Sequence, residues 1–495
     1  MRLAELVRRL GGAASPLEGD GPTITGVHLD SRRVGAGDLF CALPGGRDDG
    51  ACFTCDAAER GAAAVLLPRA VPSIAAIPQW VHPEARRVAG QAASLVLGEP
   101  ARGLRVIAVT GTNGKTTVAH LAGALLRAGG LRPAVLGTTG NRLADGVLRA
   151  AGHTTPDAPS LLRLLAEHRA LGGDSVALEA SSHALDQERL SGLEVDVAVF
   201  TNLTRDHLDY HGTMERYAAA KERLFLSLRP GTLAVVNADD PVSGRMAAAA
   251  RLRGARVLTY GTRTRGDLCA SALRVDLSGT ELVLQGMGIS RTRLRLPLVG
   301  RHNVENALAA ATAVLGSGAS PSSVLDGLAT ASSAPGRLEP VPAPGRGFHV
   351  LVDYAHTEDA LVQACRAVRE AREGTAGRRG RLILVFGCGG ERDPGKRGPM
   401  GRAANELADI AVLTSDNPRG EDPQSILEQV LEGMAPPRTR TVIEPDRARA
   451  IGRALSLARK GDVVLITGKG HETTQTAGGR VVAFDDRLVA AESLP

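Results

Sequence analysis

The stretch Thr110-Gly-Thr-Asn-Gly-Lys-Thr-Thr117 decides how the rest of the sequence is interpreted. It follows the apolar run Val106–Val109, which predicts a buried parallel strand, and it precedes Val118–Arg127, which predicts a helix. A strand, a glycine-rich turn and a helix N-terminus together present backbone N–H groups to an anion. In such a loop Lys115 would reach the outer phosphates of a nucleotide, and the Thr116 hydroxyl would bind Mg²⁺.

The spacing of this loop differs from that of the general P-loop. The first glycine of Gly-x-x-x-x-Gly-Lys would stand at position 109, which is occupied here by Val109. The alternative is a tight turn that only connects a strand to a helix. The run Gly114–Thr117, between an apolar strand and a helix, favours nucleotide binding.

The overall composition predicts a globular protein of several domains. A chain of 495 residues is too long for one hydrophobic core and predicts about two to four domains. No apolar run approaches the roughly 20 residues of a membrane span, and Met1–Gly12 has no apolar run long enough for a signal peptide. We therefore expect a cytoplasmic protein without a membrane span.

Charge and cysteine content argue against a nucleic-acid-binding protein and against a cysteine-based zinc site. The net charge of +6 is modest for this length, and no long Lys/Arg run indicates a nucleic-acid partner. Of six scattered cysteines, Cys52 and Cys55 have Cys-x-x-Cys spacing, but no second pair or His cluster completes a zinc site. We expect reduced thiols in a reducing compartment.

Apolar runs divide the sequence into three α/β segments, 1–100, 101–335 and 336–495. The first alternates short apolar runs with Gly and Pro and ends in a linker at Gly98-Glu99-Pro100. In the second, strands alternate with helices, which predicts a mostly parallel sheet. Within it, 267–298 alternates apolar and polar residues and predicts an antiparallel appendage. The third segment returns to strand–helix alternation, so the predicted fold class is α/β with three domains.

The predicted strands are short runs of aliphatic residues: Ala62–Leu67, Gln79–His82, Val106–Val109, Ala134–Leu136, Ser175–Leu178, Val195–Phe200, Leu233–Val236, His349–Val352, Leu382–Phe386, Ile410–Leu413 and Val463–Ile466. The predicted helices are Glu84–Leu97, Lys115–Arg127, Ser160–Leu171, Met214–Leu226 and Asn303–Leu315. Open parallel sheets bind ligands at the carboxyl ends of their strands. Residues that follow these strands are therefore candidate site residues.

Two polar residues follow neighbouring strands of the central segment. Glu179 directly follows one strand, and His207 lies in the segment Thr201–His211 after the next. A carboxylate and an imidazole there could hold Mg²⁺ beside bound phosphates. The alternatives are a helix-capping carboxylate and a histidine bonded to backbone, and the nearby nucleotide loop favours the metal site. Lys221, on the flank of an apolar helix face, would by itself be interpreted as solvated.

Six segments together resemble the Mur ligases of peptidoglycan synthesis, and the resemblance extends from about Leu29 to Asp486. They are Thr110–Thr117, Glu179–His183, Thr201–His211 with Lys221, Gly300–Asn303, Pro335–Glu339 and Val352–Thr357. The resemblance implies a UDP-binding domain at 1–100, a central P-loop, parallel-sheet ATPase domain at 101–335, and a Rossmann-like, amino-acid-binding domain at 336–495. It also implies an ATP-dependent ligase, which phosphorylates a substrate carboxylate to an acyl phosphate that an incoming amine attacks.

The resemblance also implies which residues handle ATP and metal. Lys115, His207 and Lys221 would be catalytic. Two Mg²⁺ ions would be bound by Thr116, Glu179, His207 and Lys221, the last as a carbamate formed with CO₂. A neutral amine can add CO₂, and the pKa of a lysine falls readily on burial. The implied ATP-binding residues are Gly111, Thr112, Asn113, Gly114, Lys115, Thr116, Thr117, Asn303, Arg337, Asp353 and His356.

The substrate implied for the first half of the reaction is UDP-N-acetylmuramoyl-L-alanyl-D-glutamate. The matching positions are Leu29, Ser31, Thr154, Thr155, Ser181, Gln187 and Arg189. Arg189 is suited to pair with a carboxylate or a phosphate. The sequence departs from the family's usual pattern at Gly45-Gly46-Arg47-Asp48, at Ala51–Phe53, which lacks a His, and at His153, where some relatives have Asn.

The third segment contains the specificity motif. Asp416-Asn-Pro-Arg419 resembles the recognition motif of the Mur ligases that add meso-diaminopimelate, whose distal carboxylate Arg419 could clamp with paired hydrogen bonds. Lysine or ornithine would place an ammonium against that arginine. Addition of lysine or ornithine stays an alternative, as does a simple turn with Arg419 in solvent. The implied amino-acid-binding residues are Arg392, Asp416, Asn417, Pro418, Arg419, Gly468 and Glu472.

Two other functions are alternatives to this prediction. Folylpolyglutamate synthetase has a similar phosphate loop, but it usually lacks a separate uridine-binding domain such as the segment before residue 101. A binding or scaffold protein that has lost catalysis would show erosion at Lys115, Glu179, His207 or Lys221, and all four residues are present. The predicted partners are small-molecule substrates only, and we expect a monomer.

Overall fold

The computed structural model describes residues 1–45, 48–71, 77–374 and 380–494, so Gly46 and Arg47 of the divergent loop lie outside the described residues. The chain forms two compact units. One comprises Met1–Leu268 with Leu308–Val324, and the other comprises Cys269–Ala307 with Leu325–Pro495. The predicted division at residues 100 and 335 stays a prediction. Within the described ranges, every helix is too short or too polar to span a bilayer.

The first unit begins with a five-stranded sheet of order β1-β5-β4-β3-β2, parallel except where β1 pairs with β5. Its elements are α1 (Leu3–Leu10), β1 (Ala13–Ser15), β2 (Gly26–His28), β3 (Asp38–Cys41), α2 (Thr54–Glu59), β4 (Ala64–Leu67), β5 (Gln79–Val81) and α3 (Ala85–Val96). The predicted β4, β5 and α3 are confirmed with slightly shorter bounds. The three strands that precede them have three or four residues each, too few for a recognisable pattern.

The second sheet of this unit holds the phosphate loop. Its strands are β6 (Arg105–Thr110), β7 (Pro133–Gly137), β8 (Gly140–Arg142), β9 (Leu148–Arg149), β10 (Ser175–Glu179), β11 (Val197–Phe200), β12 (Leu233–Asn237) and β13 (Arg256–Gly261). Its helices are α4 (Lys115–Ala128), α5 (Ala158–Ala170), α6 (Ser182–Asp186), α7 (Leu208–His211), α8 (Met214–Leu226) and α9 (Ser243–Leu252). The strand order is β13-β12-β11-β6-β10-β7-β8-β9.

Strand β6 is central, with β10 parallel on one side and β11 parallel on the other. The chain continues from β6 to the β7/β10 side and only later to β11, so the strand order reverses beside β6. A crevice forms at the carboxyl ends of strands at such a reversal, and ligands bind there. The buried aliphatic runs of β6 (from Val106 on), β10 and β11 explain why the sequence identified these strands.

The second unit contains the predicted antiparallel segment and a third sheet. The antiparallel strands are β14 (Leu268–Asp276), β15 (Gly279–Gly286) and β16 (Ile289–Leu296). Helices α10 (Arg301–Gly316) and α11 (Pro321–Ala329) follow along the chain, and their portion within Leu308–Val324 belongs to the first unit. The third sheet has the order β17-β18-β22-β19-β20-β21 and is parallel except for β17. The α/β fold class is thereby confirmed.

The third sheet is covered on both faces by helices. Its elements are β17 (Glu339–Val341), β18 (His349–Asp353), α12 (Glu358–Gly374), β19 (Leu382–Phe386), α13 (Arg397–Leu407), β20 (Ile410–Leu413), α14 (Pro423–Glu432), β21 (Arg440–Ile443), α15 (Arg447–Leu457), β22 (Val463–Thr467), the hairpin β23 (Thr474–Ala477) and β24 (Arg480–Ala483), and α16 (Asp486–Glu492). Helices α12, α13 and α14 share one aliphatic core, and α15 and α16 contribute to the other. This arrangement is the predicted Rossmann-like one.

A buried ion pair joins α15 to α16. The Arg447 Nε and Nη2 groups donate to the two Asp486 oxygens at 2.8 and 2.7 Å, and both side chains are fully buried. We expect Arg447→Met to lower the free energy of unfolding by about 3–5 kcal/mol, because it leaves a buried carboxylate unpaired. Urea unfolding measures this loss, with the exposed Arg449→Met as the matched control. The double variant Arg447→Met/Asp486→Leu is expected to recover most of the loss, and its failure to do so would contradict this explanation.

Candidate active site

Strand register places the predicted site residues around the phosphate loop. Val109, one residue before the loop, pairs with Glu179 of β10, and Thr110 pairs with Phe200 of β11. Glu179 and the segment that begins at Thr201 therefore lie on the two sides of the loop. Residues that follow neighbouring parallel strands are expected to lie together in this way.

Hydrogen bonds to the segment after β11 fix the backbone of the phosphate loop. Thr112 N donates to Asn202 O at 2.8 Å, and Asn113 N donates to Asn202 Oδ1 at 2.9 Å. Gly111 has φ +150°, and a Cβ there would lie 1.8 Å from Thr201 Oγ1. Gly114 has φ +87° and immediately precedes α4. The two glycines thus permit a turn that a larger residue would block.

Lys115 lies over its own loop. Its Nζ donates to Gly111 O at 3.0 Å and to Thr112 O at 2.8 Å. The ammonium therefore lies at the mouth of the turn, at the N-terminus of α4, where backbone N–H groups and the helix dipole favour an anion. This arrangement can neutralise the outer phosphates of a nucleotide.

Glu179 is almost fully buried and links the loop to the next strand. Its carboxylate accepts from Thr116 Oγ1 at 3.0 Å, from Thr138 N at 2.7 Å and from Thr138 Oγ1 at 3.1 Å. Thr138 Oγ1 also lies 3.1 Å from the hydroxyl oxygen of Thr154. The hydroxyl of Thr116 beside a carboxylate is a pair of hard oxygen ligands, the kind that Mg²⁺ prefers.

Lys221 is buried beneath the loop, with 1% of its surface exposed. Its Nζ donates to Gly111 O at 2.7 Å and lies 4.2 Å from the centre of the Tyr217 ring. Burial, and after it the nearby Lys115 cation, hold the pKa of Lys221 well below that of an ordinary lysine. The solvated interpretation of this residue is therefore wrong, and burial beside the phosphate loop disfavours the charged form of its amine.

His207 has a half-exposed side chain close to other rings. It adopts φ +51° at the start of α7, and its ring lies 4.8 Å from that of His183. Burial lowers the pKa of His207, which keeps its imidazole neutral and able to bind a metal near pH 7. Among the described residues, no three His, Cys, Asp or Glu side chains converge as a metal site. The predicted metal site therefore needs the Thr116 hydroxyl and the predicted Lys221 carbamate as ligands besides Glu179 and His207.

The predicted dipeptide-binding residues of the central segment form one network. Thr155 Oγ1 donates to Glu179 O at 2.8 Å, and Ser181 N donates to Thr155 Oγ1 at 3.1 Å. Arg189 Nη1 donates to Thr155 O at 2.9 Å, and its Nη2 donates to Gln187 Oε1 at 2.7 Å. Thr155 thus contacts the backbone oxygen of Glu179, and Thr154 connects to the Glu179 carboxylate through Thr138.

The two predicted uridine-site residues belong to the first sheet. Ser31 is buried and begins a 3-10 turn that the Asp30 carboxylate caps through Arg32 N at 3.0 Å. Leu29 packs partly buried against the core that includes β2 and β3. Their role toward a uridine stays a prediction.

The remaining predicted ATP-binding residues belong to the second unit. Asp353 ends β18, and its oxygens accept from Leu338 N and Ala355 N, both at 2.8 Å. The Arg337 guanidinium lies 4.9 Å from the centre of the Tyr354 ring. His356 Nδ1 lies 2.9 Å from Tyr354 O. Arg337, Asp353 and His356 therefore cluster around Tyr354, whose ring also lies 4.9 Å from that of His471.

Asn303 lies at the start of α10. Its Nδ2 donates to Val299 O at 2.9 Å, and its Oδ1 accepts from Asn306 Nδ2 at 3.1 Å. The side chain thus organises the beginning of its own helix. An ATP contact by Asn303 stays a prediction.

The specificity motif follows β20 and contacts neighbouring loops. Arg419 adopts φ +54°, and its Nη1 donates to Gly390 O at 2.6 Å, so the alternative with this side chain in solvent is wrong. Asn417 Nδ2 donates to Glu472 Oε2 at 3.0 Å. Asp416 and Pro418 are buried, and a Cβ at Gly468 would lie 3.6 Å from Asp416 Oδ2. Arg392 is exposed, on the loop after β19.

Three residues that sequence reasoning missed support these sites. Asn202 braces the phosphate loop, Tyr217 donates to Thr112 Oγ1 at 3.2 Å, and Lys469 is a fully buried cation beside Glu472. Asn202 and Lys469 follow strands, so the strand-end rule could have identified them. Tyr217 precedes Lys221 by one helical turn, which places both on one face of α8.

Comparison with known proteins gives concordant matches along the chain. The Mur ligase family catalytic domain matches residues 23–98, the Mur ligase middle domain matches 109–314, and the Mur ligase glutamate ligase domain matches 336–470. A protein of Solibacter usitatus named UDP-N-acetylmuramoyl-L-alanyl-D-glutamate–2,6-diaminopimelate ligase is 44% identical over 475 residues. The match covers 95% of this chain and 93% of that protein.

Solved structures agree with the sequence matches. A structure titled with the same ligase name has a TM-score of 0.71 and 36% identity, and the match covers 100% of this chain and 98% of that one. A Mycobacterium tuberculosis folylpolyglutamate synthase, complexed with ADP and AMPPCP, has a TM-score of 0.60 at 24% identity, covering 77% of this chain and 92% of that one. At that identity the second likeness shows the fold alone.

Proposed function

The chain belongs to the Mur ligase family, and we propose that it is an ATP-dependent ligase that joins meso-diaminopimelate to the free carboxylate of UDP-N-acetylmuramoyl-L-alanyl-D-glutamate. One structural observation carries the proposal. Thr116 of the phosphate loop, Glu179, Thr138 and Thr154 form a continuous chain of hydrogen bonds between the ATP loop and the proposed dipeptide site. A ligase that phosphorylates a carboxylate needs these two sites to be adjacent.

The proposed reaction has two steps. The γ-phosphoryl group of ATP passes to the substrate carboxylate and ADP leaves, which supplies the leaving group that a carboxylate lacks. The amine of the incoming amino acid then attacks the acyl phosphate, and the tetrahedral intermediate releases phosphate and a proton as the amide forms. Lys115 and the loop N–H groups stabilise the charge that accumulates between the anionic reactants. Arg189, whose guanidinium is bonded to Thr155 O and to the Gln187 side chain, would hold a carboxylate of the dipeptide.

The metal and the carbamate are part of the proposal. Mg²⁺ would be held by the oxygens of Thr116 and Glu179 at one position and by His207 and Lys221 at a second, and it would supply charge neutralisation to the phosphates. An unmodified lysine does not suit a cation site, but the buried Lys221 amine has a depressed pKa and can add CO₂, losing a proton to give an anionic carbamate. The residues present therefore fit both groups.

The other proposed contacts follow from the resemblance to the Mur ligases. Leu29 and Ser31 would bind the uridine end, and Ser181 and Gln187 would bind the dipeptide. Asn303, Arg337, Asp353 and His356 would bind the nucleoside of ATP, and Arg392, Asp416–Arg419, Gly468 and Glu472 would bind the second substrate. Cytoplasmic location, a monomeric state and small-molecule partners alone remain predictions.

Phosphate release tests this proposal directly. With ATP, Mg²⁺ and UDP-N-acetylmuramoyl-L-alanyl-D-glutamate, we expect rapid phosphate release with meso-diaminopimelate and at least about 100-fold lower kcat/KM with lysine or ornithine, because Arg419 would face an ammonium. Reactions without each substrate serve as controls. Equal use of lysine or ornithine would contradict the assigned amino acid, and phosphate release that needs no amino acid would contradict the ligase itself.

A further inference from the structure

A buried lysine lies at the centre of the proposed amino-acid site. Lys469, two residues after β22, has no exposed surface. Its Nζ lies 3.1 Å from Asn417 Oδ1, 3.2 Å from Glu472 Oε2 and 3.9 Å from Asp416 Oδ1. A buried ammonium is costly unless it is paired and hydrogen-bonded. The three partners of Lys469 are all residues of the proposed diaminopimelate site.

The ammonium fixes the orientation of the Asn417 amide. Because an ammonium has only donors, the Asn417 oxygen must face Lys469. The same oxygen accepts from Thr476 N at 3.0 Å, and the Asn417 Nδ2 donates to Glu472 Oε2 at 3.0 Å. Glu472 is therefore held from two sides, by the amide of Asn417 and by the ammonium of Lys469.

The same contacts hold the backbone that presents Arg419. Arg419 N donates to Thr476 O at 3.0 Å, and Gly478 N donates to Arg419 O at 2.8 Å. The side chain of Gln475 donates to Asp416 O at 2.6 Å. The motif Asp416–Arg419 is thus fastened to the β23 hairpin at both ends, and Asn417, bonded to Lys469, lies between these two attachments.

Lys469 also sets the charge of the site. Asp416, Glu472 and the buried Asp486 supply three carboxylates near two buried cations, Lys469 and Arg447. Asp486 is paired with Arg447, so two carboxylates, Asp416 and Glu472, share the single positive charge of Lys469. One negative charge is therefore left to pair with an incoming ammonium. Asp416 Oδ1 is buried without a hydrogen-bond partner among the described residues, which agrees with an available acceptor.

We propose that Lys469 is a positioning residue for the amino-acid substrate, holding Asn417 and Glu472 so that the site binds one ammonium beside the Arg419 guanidinium. The inference rests on the proposed function, because it assigns a role in binding the second substrate of that reaction. Lys469 acts through its neighbours and touches no reacting atom. Its loss should therefore weaken binding of the amino acid selectively.

Steady-state kinetics of Lys469→Met test this inference. We expect the KM for diaminopimelate to rise about 10- to 100-fold, because Asn417 and Glu472 lose a buried charged partner. The KM values for ATP and for the UDP-linked substrate should stay within about twofold of wild type. Lys460→Met is the matched control, since Lys460 is exposed and precedes the opposite end of β22.

A double-mutant cycle separates positioning from general destabilisation. If Lys469 acts through Glu472, the effects of Lys469→Met and Glu472→Gln on the KM for diaminopimelate should be strongly non-additive. Additive effects, an unchanged KM for diaminopimelate, or an equal rise of all three KM values would overturn the inference. If Lys469→Met does not fold, the same kinetic measurements are made on Lys469→Gln. If neither variant folds, the role of Lys469 is purely structural and the inference is overturned.

The wild-type enzyme distinguishes failure of this inference from failure of the proposed function. If wild type ligates diaminopimelate and Lys469→Met keeps the wild-type KM, only the role of Lys469 is wrong. If wild type ligates none of diaminopimelate, lysine and ornithine, the proposed function is wrong, and the role of Lys469 with it.

Discussion

Replacement of Lys221 by alanine is expected to abolish ligation, lowering kcat by about 10³-fold or more. Lys221 lies beneath the phosphate loop with its Nζ 2.7 Å from Gly111 O, where burial and the Lys115 cation depress its pKa. A neutral amine in this position can form the carbamate that would complete the second metal site. Alanine removes that group without adding a charge, and phosphate release with all substrates present measures the loss.

Bicarbonate dependence distinguishes the carbamate from a simple packing role. In CO₂-depleted buffer, wild-type activity should fall and then recover when bicarbonate is added, whereas Lys221→Ala should not respond. Isotope-labelled bicarbonate should give a carbamate signal in the NMR spectrum of wild type that is lost in Lys221→Ala. The exposed Lys460→Ala is the matched control. Full activity of Lys221→Ala without bicarbonate would refute the carbamate.

Replacement of Arg419 by methionine is expected to lower kcat/KM for diaminopimelate by about 10²-fold. The Arg419 Nη1 is bonded to Gly390 O and Asn417 O. Within the described ranges, its Nε and Nη2 groups have no hydrogen-bond partner, so one edge of the guanidinium is available for a carboxylate. The φ of +54° is an unusual conformation for an arginine and indicates that the surrounding loops fix it for function.

Selectivity gives this prediction its sharpest test. Arg419→Met should reduce discrimination between diaminopimelate and lysine, because the cation that repels the lysine ammonium is gone. Arg419→Lys should not restore it, since an ammonium cannot make the paired hydrogen bonds of a guanidinium. Arg402→Met, at an exposed position of α13, is the control. If Arg419→Met keeps the wild-type preference, the distal carboxylate binds elsewhere, and Arg392 becomes the next candidate.

The bounds of helices and strands were predicted closely where a run of apolar residues in the sequence is also buried in the structure. Helix α8 and strands β19 and β20 have the predicted bounds, and β6 extends the predicted strand by one residue at each end. Buried parallel strands are continuous aliphatic runs, which a sequence displays directly. The first sheet was only partly predicted, because strands such as β2 have three residues and owe their conformation to their neighbours.

The sequence alone determined the phosphate loop, the strand before it and the helix after it, and it showed which polar residues follow the strands. These features depend on residues adjacent in the chain and on the regular spacing of apolar residues. Only the tertiary structure decided which of those residues are buried and paired. Lys221 looked solvated, yet it lies under a loop more than 100 residues earlier in the chain. Lys469 meets Asn417, 52 residues away, in a site without solvent access to the ammonium. Burial and long-range pairing decide the environment of these lysines, and a local sequence pattern contains no record of either.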